Sequence, residues 1–418
     1  MSRRVVITGM GAITPVGNDV DTFWNSISSG VVGIGDIKAF DTTDFKAKLA
    51  AEVKDFDPED YIDKKQAKRM DRFCQFALAA SKEAVEDSEL KFDQENMERV
   101  GVIVGCGIGG IGTIETQVAK MNSKGPNRVT PMLIPMIISN MASANIAIAY
   151  GAKGICTTIV TACASGNNAI GEAFHKIRHN EADIIFSGGT EASITPLSVS
   201  GFISMTALSR STDPKRASIP FDAERNGFVM GEGSGILILE EYEHAVKRNA
   251  KIYAEVVGYG STCDAYHITS PSPGGADGAR AIIMSIEDAG IKPEDISYIN
   301  AHGTSTQAND STETEAIKKV FGENAYKIPV SSTKSMTGHL LGAAGAIEAI
   351  ICVEALQNNF IPPTVGLQVK DPECDLDYVP NVGRKAEVQY TLSNSLGFGG
   401  HNAAIVFKKW VGGSKNGL

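Results

Sequence analysis

The sequence predicts an α/β protein, because short apolar runs alternate along the chain with segments of helical periodicity. A second observation is a coarse duplication, since residues 4–11 and residues 254–260 each look like a strand that closes on a Gly-x-Gly turn. Each segment opens a half of the chain that ends in a glycine-rich hairpin, at 227–235 and at 397–400. We therefore expect two similar halves, 1–250 and 251–412, followed by a flexible tail at 413–418.

The individual elements follow from the same patterns, taken in chain order. Short apolar runs predict buried strands at 100–104, 184–186, 236–239, 296–299 and 403–407. Longer segments with a period near 3.6 predict helices at 73–86, 167–178, 278–289, 312–320 and 345–356. Strands that alternate with helices in this way are typical of a sheet covered by helices.

The composition allows a large buried core. The chain has 418 residues, of which 43% are hydrophobic and 21% are charged, and this balance excludes intrinsic disorder. Its 39 basic and 49 acidic side chains give a formal net charge of −10. Proteins that bind nucleic acid or anionic membranes in general need a basic surface, so we expect neither kind of partner.

The cysteines indicate a reducing compartment. There are seven of them, widely spaced and without any C-x-x-C pair, which fits an intracellular protein better than a disulfide scaffold. The apolar stretch at 5–7 is too short for a secretory signal and continues into what looks like a strand and a turn. We therefore expect a cytoplasmic protein.

One long segment is almost free of charge: between residues 129 and 171 only Lys153 is charged. The part from 129 to 152 is long enough to span a bilayer, but it contains Pro131, Pro135, Asn140 and Asn145. Lipid would leave the polar groups of such residues unsatisfied. We expect instead a core covered on both faces, or an interface between subunits.

Two motifs are weak. Residues 105–110 match the dinucleotide-binding pattern G-x-G-x-x-G, but the region where an acidic residue should follow holds Lys124 and Arg128 and no acid. His175 and His179 lie four residues apart, yet the intervening residues do not give an H-E-x-x-H motif, so we expect a solvated helix face and no metal. An NAD-dependent oxidoreductase remains the alternative from a different class of enzyme.

A cysteine and three basic residues occupy turns where α/β sheets bind ligands. Cys163 lies between a β-branched run and a helix that begins near Ser165, where helix N–H groups favour a thiolate. His302 follows one predicted strand, and Lys334 and His339 follow another. Because such positions meet at the carboxyl ends of strands, we expect these four side chains to form one thiol-based site.

Four motifs, in order along the chain, resemble those of the β-ketoacyl-acyl carrier protein synthases, and most closely the elongating type II branch. They are Thr-Ala-Cys-Ala-Ser-Gly at 161–166, Ala-His-Gly-Thr-Ser-Thr at 301–306, Lys-Ser-Met-Thr-Gly-His at 334–339 and Asn-Ser-Leu-Gly-Phe-Gly-Gly at 394–400. The resemblance covers about residues 3–410. It implies a thiolase-like fold, with two pseudo-duplicated halves in a five-layered α-β-α-β-α arrangement. It also implies a homodimer, an acyl carrier protein as partner and no cofactor.

The resemblance further implies a decarboxylating Claisen condensation that adds two carbons to an acyl chain. Cys163 would take the acyl chain from the carrier as a thioester, and malonyl-carrier would then lose CO₂ to leave an enolate. His302 and His339 would stabilise that enolate by donating hydrogen bonds. The backbone amides of Cys163 and Phe398 would form the oxyanion hole for acyl transfer.

Further positions carry roles by the same resemblance. Lys334 would fix the electrostatics of the two histidines, with Glu348 as its partner. Thr304 and Thr306 would hydrogen-bond the pantetheine arm, whereas Phe398 would act as a gating ring and Ile108 would line the acyl pocket. The sequence departs from the family pattern at Leu396, where Phe is more usual, and at His401, which stands where many members have Thr.

Two basic clusters give the acidic carrier a place to dock, although the whole chain is acidic. The residues expected to contact the carrier are Lys64, Lys65, Lys68, Arg69, Lys124 and Arg128. The family docks its carrier on the first of these regions, although Thr206 is uncharged where many members have a base. The alternative for residues 64–69 is the solvated start of a helix.

Other condensing enzymes fit the residues less well. A thiolase would need a second catalytic cysteine, but neither Cys352 nor Cys374 lies in a glycine-rich turn. The starter synthases pair cysteine with histidine and asparagine, whereas this chain offers a second histidine at His339. A non-catalytic chain-length factor normally lacks the nucleophile. A polyketide-type ketosynthase and a thiolase-like acyltransferase remain alternatives within the class.

Overall fold

A single ten-stranded mixed sheet runs through the molecule. The structure, a computed structural model, describes residues 3–412, so the predicted tail at 413–418 lies outside the described residues. The strands of this sheet are β1 (Val5–Ile13), β4 (Val100–Gly105), β5 (Cys156–Ile159), β6 (Ile184–Glu191), β7 (Gly233–Glu241), β8 (Ala254–Cys263), β9 (Tyr298–Asn300), β10 (Val330–Ser331), β13 (Tyr390–Gly397) and β14 (His401–Lys409). Two small antiparallel sheets of two strands each complete the strands: β2 (Gly35–Asp36) with β3 (Leu49–Ala50), and β11 (Phe360–Ile361) with β12 (Arg384–Lys385).

Thirteen α-helices are formed by the described residues. The helices are α1 (Val20–Ser28), α2 (Lys64–Ala67), α3 (Arg72–Ser88), α4 (Ile111–Lys124), α5 (Leu133–Ile137), α6 (Met141–Tyr150), α7 (Ser165–Arg178), α8 (Pro196–Ser204), α9 (Tyr242–Lys247), α10 (Ala276–Ala289), α11 (Gln307–Phe321), α12 (Lys334–Thr337) and α13 (Ala344–Asn358). All five predicted helices are present. The predicted strands are present as well, although the one at 296–299 begins two residues later, as β9.

The sheet consists of two halves with the same topology. Its strand order is β10-β9-β13-β14-β8-β1-β7-β6-β4-β5, and in each half the three strands nearest the middle are antiparallel while the outer pairs are parallel. The halves join where β1 pairs with β8, over Val5–Ile7. This repetition confirms the duplication expected from the sequence.

The helices form three layers around the two halves of the sheet. α3 packs on β1 and β7 with α6 beside it, and α10 packs on β8 and β14 with α11 beside it. α7 and α13 contact each other and both halves of the sheet, so they form the middle layer. The arrangement is the expected five-layered α-β-α-β-α fold.

The position of α13 in the middle layer explains why this long helix is apolar. The segment Leu341–Asn358 is long and apolar enough to cross a membrane, but 83% of it is buried inside the protein. α13 is enclosed by α7 and by strands of both halves, and a helix buried on all sides needs apolar residues all round. Its composition therefore reflects its place in the core.

The two Gly-x-Gly segments are not turns, so that prediction was wrong. Gly9 and Gly11 lie inside β1, and Gly258 and Gly260 lie inside β8. A Cβ on Gly11 would lie 2.0 Å from the carbonyl oxygen of Ala80 in α3, and one on Gly260 would lie 2.1 Å from that of Ala281 in α10. The glycines allow each outer helix to approach its strand closely.

The other glycine-rich segments differ from each other. Residues 398–400 connect β13 to β14 as a hairpin, as predicted. Residues 227–232 form no hairpin. Met230 instead makes an isolated parallel bridge with His339, and Gly231 makes one with Ala51. The prediction of a glycine-rich hairpin at 227–235 was therefore wrong, because this segment instead runs beside His339.

The uncharged segment 129–171 is only partly buried. It forms α5, α6, the edge strand β5 and the start of α7. Ile134, Ile138, Ile148 and Val160 are exposed in the single chain, and β5 has one free edge because it ends the sheet. A core covered by its own chain is thus wrong for these residues, and a subunit interface remains as the alternative.

We expect Gly11→Ala to destabilise the fold, because the new methyl group would collide with the backbone of α3. Overpacking of this kind lowers the free energy of unfolding by about 1–3 kcal/mol. Chemical denaturation of the purified protein measures the loss. Gly201→Ala in α8 is the matched control, since no atom lies within 4 Å of its added Cβ, and equal losses in the two variants would contradict the close-approach argument.

Candidate active site

One cavity of about 570 Å³ contains most of the predicted catalytic residues. Cys163, His302 and His339 all line it, so the structure brings together a thiol and two imidazoles from both halves of the chain. The predicted binding residues that also line it are Ile108, Thr304, Thr306 and Phe398. Leu396 lines the cavity as well, whereas His401 does not appear among its lining residues. The two imidazoles that face the cavity are therefore those predicted.

Cys163 lies in a sharp turn between β5 and α7. The turn is a single 3₁₀ segment at Ala162–Ala164, and Ala162 has a positive φ of 50°. Ser165 stabilises the turn, since its Oγ accepts from the N–H of Thr161 at 2.9 Å and donates to the carbonyl of Ala162 at 2.6 Å. The cysteine is thereby presented at the N-terminus of α7, as predicted.

The electrostatic surroundings of Cys163 differ from the expectation. Burial has the largest effect and raises the pKa of its thiol, whereas the charge of Lys334 and the backbone N–H of Phe398 oppose that increase. Burial thus disfavours the thiolate that was expected at the helix N-terminus and favours the neutral thiol. The thiol must lose its proton as it reacts.

His302 is positioned by a buried carboxylate. Its loop follows β9, and Glu313 of α11 accepts hydrogen bonds from the backbone N–H groups of His302 and Gly303, each at 2.7 Å. Asn394 of β13 donates to the same carboxylate at 2.8 Å. Burial raises the pKa of Glu313 to about 7. No local sequence pattern had predicted Glu313 as part of the site.

A buried ion pair lies behind His302. Nζ of Lys334 is 2.5 Å from Oε1 of Glu348, as expected for this pair, and donates to the carbonyl of His302 at 2.6 Å. It also lies 3.4 Å from Nδ1 of His302. An ammonium group only donates, so Nδ1 accepts and the ring proton is on Nε2.

Both imidazoles are neutral. Burial and the charge of Lys334 lower the pKa of His302 and that of His339 well below the ordinary range. The two rings are nearly perpendicular, with centroids 5.3 Å apart. A neutral imidazole can donate from one nitrogen and accept a proton at the other, so this pair can stabilise a developing anion or take the proton of a thiol.

The loop at 105–110, which matches the dinucleotide-binding pattern, surrounds a buried carboxylate of the same chain. Glu191, at the end of β6, is fully buried and accepts from the backbone N–H groups of Gly107, Ile108 and Gly109 at 2.8 to 3.3 Å. Backbone N–H groups of this loop that could face a phosphate thus face a carboxylate of the same chain. Glu191 was not predicted as a site residue, because it lies five residues beyond the predicted strand at 184–186, and only the longer observed β6 places it beside the loop.

Candidate metal ligands are few in the described part of the chain. Residues 3–412 contain no group of three or more His, Cys, Asp or Glu side chains that could hold a metal ion. His175 lies 3.7 Å from Asp288 and packs on Tyr259, so it belongs to the surface of α7. Four buried side-chain oxygens near the site have no hydrogen-bond partner and are of the type that hard cations bind; they belong to Asn300, Glu348, Asn394 and Ser395.

The residues expected to dock a carrier lie on the surface. Lys64, Lys65, Lys68 and Arg69 are exposed in and after α2, and Lys124 and Arg128 are exposed at and after the end of α4. Asp71 connects the two regions, because its carboxylate accepts from the N–H of Thr113 in α4 at 3.0 Å. None of the six basic residues lines the cavity, so their role in docking stays a prediction.

Comparisons with known proteins match nearly the whole chain. The family model "Beta-ketoacyl synthase, N-terminal domain" matches residues 2–245, and "Beta-ketoacyl synthase, C-terminal domain" matches residues 253–368. A 3-oxoacyl-[acyl-carrier-protein] synthase 2 from Synechocystis sp. is 56% identical, over 98% of this chain and 98% of its own length. Another from Staphylococcus aureus is 52% identical, over 98% of this chain and 99% of its own length. The predicted boundary near residue 250 lies between the two family models and stays a prediction.

Solved structures give the same result for the fold. The ketosynthase of a type II polyketide system, in complex with its acyl carrier protein, is similar with a TM-score of 0.92 and 37% identity, over 98% of this chain and 100% of the other. A beta-ketoacyl synthase from Burkholderia phymatum is similar with a TM-score of 0.90 and 35% identity, over the same shares of the two chains.

The duplicated five-layered fold, with a thiol and two neutral imidazoles in one cavity between its halves, defines an acyltransferase of the condensing-enzyme class. Fold alone would leave the chemistry open, but here the site and the matches over both halves agree. The chain belongs to the beta-ketoacyl synthase family.

The ion pair of Lys334 and Glu348 should control the titration of the two imidazoles. In the double variant Lys334→Met, Glu348→Leu the positive charge that disfavours imidazolium is removed, so we expect the pKa of His302 and that of His339 to rise. NMR titration of ¹³C-labelled histidine measures both values. His244 is an internal control, since its pKa is raised by Glu240 far from the cavity. Unchanged titration of both active-site rings would contradict the assignment.

Proposed function

We propose that the protein catalyses the decarboxylating condensation of malonyl-acyl carrier protein with a cysteine-bound acyl chain in fatty-acid elongation. The observation that carries this proposal is the meeting of Cys163, His302 and His339 in one cavity. The names of the relatives at 56% and 52% identity support the substrate class. The product would be a 3-oxoacyl-acyl carrier protein that is two carbons longer.

In the first half-reaction, Cys163 attacks the acyl thioester of the carrier. The sulfur–acyl bond forms as the bond to pantetheine breaks, and the thiol proton of Cys163 passes by way of a neutral imidazole to the departing pantetheine sulfur. The backbone N–H of Phe398 lies next to the sulfur, and the adjacent Gly397 packs against the backbone of Cys163. We assign the oxyanion hole to the N–H groups of Cys163 and Phe398, since the packing of Gly397 on the backbone of Cys163 brings these two segments together.

In the second half-reaction, malonyl-carrier loses CO₂ and its remaining electron pair forms an enolate. The Nε2–H of His302, whose Nδ1 faces the Lys334 ammonium group, donates to the enolate oxygen together with His339. The enolate carbon then attacks the acyl group on Cys163. This step forms the new carbon–carbon bond and breaks the bond to the cysteine sulfur, whose thiolate then takes up one proton from solvent by way of a neutral imidazole. We place no cofactor or metal in either step.

The pantetheine arm would reach the cysteine past Thr304 and Thr306. Both threonines line the cavity, and their hydroxyl groups lie 2.9 Å apart, so one of them is free to donate to a ligand. Ile108 and Phe398 line the same cavity, in positions that suit a pocket wall and a gate beside Cys163. These roles rest on the position of the residues in the cavity.

The elongating reaction of fatty-acid synthesis is favoured over its alternatives by three observations. The similar ketosynthase of a type II polyketide system is 37% identical, well below the two synthases above. A thiolase would require a second cysteine in the cavity, but neither Cys352 nor Cys374 lines it. An oxidoreductase would use the loop 105–110 for a dinucleotide, whereas Glu191 already accepts from that loop.

We further infer a cytoplasmic homodimer. The exposed side chains of Ile134, Ile138, Ile148 and Val160, together with the free edge of β5, form an apolar surface that a second copy would cover. All seven cysteines are unpaired, which suits a reducing compartment. A carrier protein is the third component, and the similar polyketide ketosynthase has been solved with its own carrier.

Cys163→Ala tests the assignment of the nucleophile. We expect no acyl adduct after incubation with acyl-carrier, because the only cysteine in the cavity is removed, and the adduct is measured by intact-protein mass spectrometry. Decarboxylation of malonyl-carrier should continue, since His302 and His339 remain. Cys74→Ala, in the outer helix α3, is the matched control and should acylate normally. An acyl adduct on the Cys163→Ala variant would refute the proposal.

Charge reversal tests the docking surface. We expect Lys65→Glu with Lys68→Glu to raise the KM for acyl-carrier about tenfold at low salt, because opposite charges steer the acidic carrier to this face. The effect should shrink as salt is added, and the reaction with a small acyl-pantetheine thioester should be unchanged. Lys292→Glu with Lys327→Glu, two exposed lysines of the other half, is the matched control. A carrier KM that is insensitive to both salt and charge reversal would contradict the prediction.

A further inference from the structure

The turn that presents Cys163 has a counterpart in the second half. Cys163 is the middle residue of the 3₁₀ turn Ala162–Ala164 before α7, and Gly342 is the middle residue of the 3₁₀ turn Leu341–Ala343 before α13. The first residue of each turn has the same unusual backbone, with φ of 50° at Ala162 and 49° at Leu341. The duplicated fold therefore contains two such turns, but only the first bears a nucleophile.

The second turn faces an internal carboxylate. Oε2 of Glu191 accepts from the backbone N–H of Gly342 at 3.2 Å. Glu191 ends β6, and the residue that ends the equivalent strand β13 is Gly397, which packs against the backbone of Cys163. The carboxylate of Glu191 thus lies, in the second half, at the helix end that corresponds to the reacting end of the first half.

The same carboxylate fixes one wall of the acyl cavity. Besides Gly342, Glu191 accepts from the backbone N–H of Gly107 at 2.8 Å, of Ile108 at 3.2 Å and of Gly109 at 3.3 Å, and from Ser193 Oγ at 3.0 Å. A Cβ at Gly107 would lie 2.7 Å from Oε2 of Glu191, so the loop closes tightly around the carboxylate. Ile108 lines the cavity with Cys163, and the hydrogen bond from its backbone N–H to Glu191 holds it in this position.

We propose that Glu191 is a positioning residue for acyl transfer: it locks the loop that carries Ile108 to the turn at Gly342, and so sets the acyl cavity beside Cys163. The proposal rests on the function proposed above. The side chain of Glu191 does not line the cavity, so Glu191 acts through the two backbone segments that it joins. Its negative charge also raises the pKa of the Cys163 thiol, which supports a second effect on the nucleophile.

Glu191→Gln is the direct test, because the amide keeps the size of the side chain but offers one accepting oxygen instead of two. We expect acyl transfer to Cys163 to slow about tenfold, through lost hydrogen bonds to the loop and the turn. Decarboxylation of malonyl-carrier, which depends on His302 and His339, should stay within about twofold. Rates across a series of acyl chain lengths should change unequally, since the wall at Ile108 is loosened.

Alkylation of Cys163 by iodoacetamide gives a readout that needs no acyl substrate. Removing the charge of Glu191 should move the pH profile of alkylation at Cys163 to lower pH, because a nearby negative charge disfavours the thiolate. Peptide mass spectrometry assigns the alkylated cysteine. Ser193→Ala removes one hydrogen bond to Glu191 and should show a smaller loss of acyl transfer, so it serves if the glutamine variant does not fold.

Glu240→Gln is the matched control. Glu240 is also fully buried and accepts from Thr8, His244 and Arg248, but it lies away from the cavity. The Glu240→Gln substitution should lower the free energy of unfolding. It should leave the ratio of the two half-reactions and the alkylation profile of Cys163 unchanged. A parallel fall of both half-reactions in Glu191→Gln, or an unmoved alkylation profile, overturns the proposal. Absence of any acyl adduct in the unmodified protein would instead count against the proposed function, and the alkylation profile would still decide the role of Glu191.

Discussion

The ion pair between Lys334 and Glu348 is the interaction on which the reaction centre depends. Both side chains are almost completely buried, and separating either from its partner would leave an uncompensated charge in the core. The same ammonium group binds the carbonyl of His302 and faces Nδ1 of its ring. One buried cation therefore binds the backbone of His302 and fixes the tautomer of its ring, and together with burial it keeps the imidazole neutral.

Two buried carboxylates hold the backbone of the other loops around the cavity. Glu313 accepts from the loop of His302, and Glu191 accepts from the loop of Ile108 and from the turn at Gly342. Burial raises the pKa of each carboxyl group, while the backbone N–H donors lower it. Glycine-rich loops can thus be held in a single conformation by side chains of distant elements, which replace the water that would otherwise satisfy their N–H groups.

Much of the fold follows from local sequence, but the site is only partly predictable in this way. Apolar runs and helical periods locate the main elements, and the position of Cys163, His302 and His339 at strand ends predicts their meeting. The roles of Glu191 and Glu313 depend on N–H donors that are mostly far away in sequence, so no local pattern reveals them. Gly11 shows a similar limit, because a glycine in a turn and a glycine beneath a close helix look alike. Hydrophobicity also cannot tell whether Ile148 is covered by its own chain or by a second copy.

The paired turns before α7 and α13 have a consequence for what each half contributes to the cavity. A duplicated fold offers two helix ends where an anion could be stabilised, and each could in principle serve a reaction. Here the protein fills one of them permanently with its own Glu191 and leaves the other open beside Cys163. Within residues 3–412, one of the two equivalent turns thus faces the cavity with Cys163, and the second half contributes the two imidazoles of His302 and His339 to that same cavity. The two halves therefore share the same backbone turn but contribute different chemical groups to the cavity.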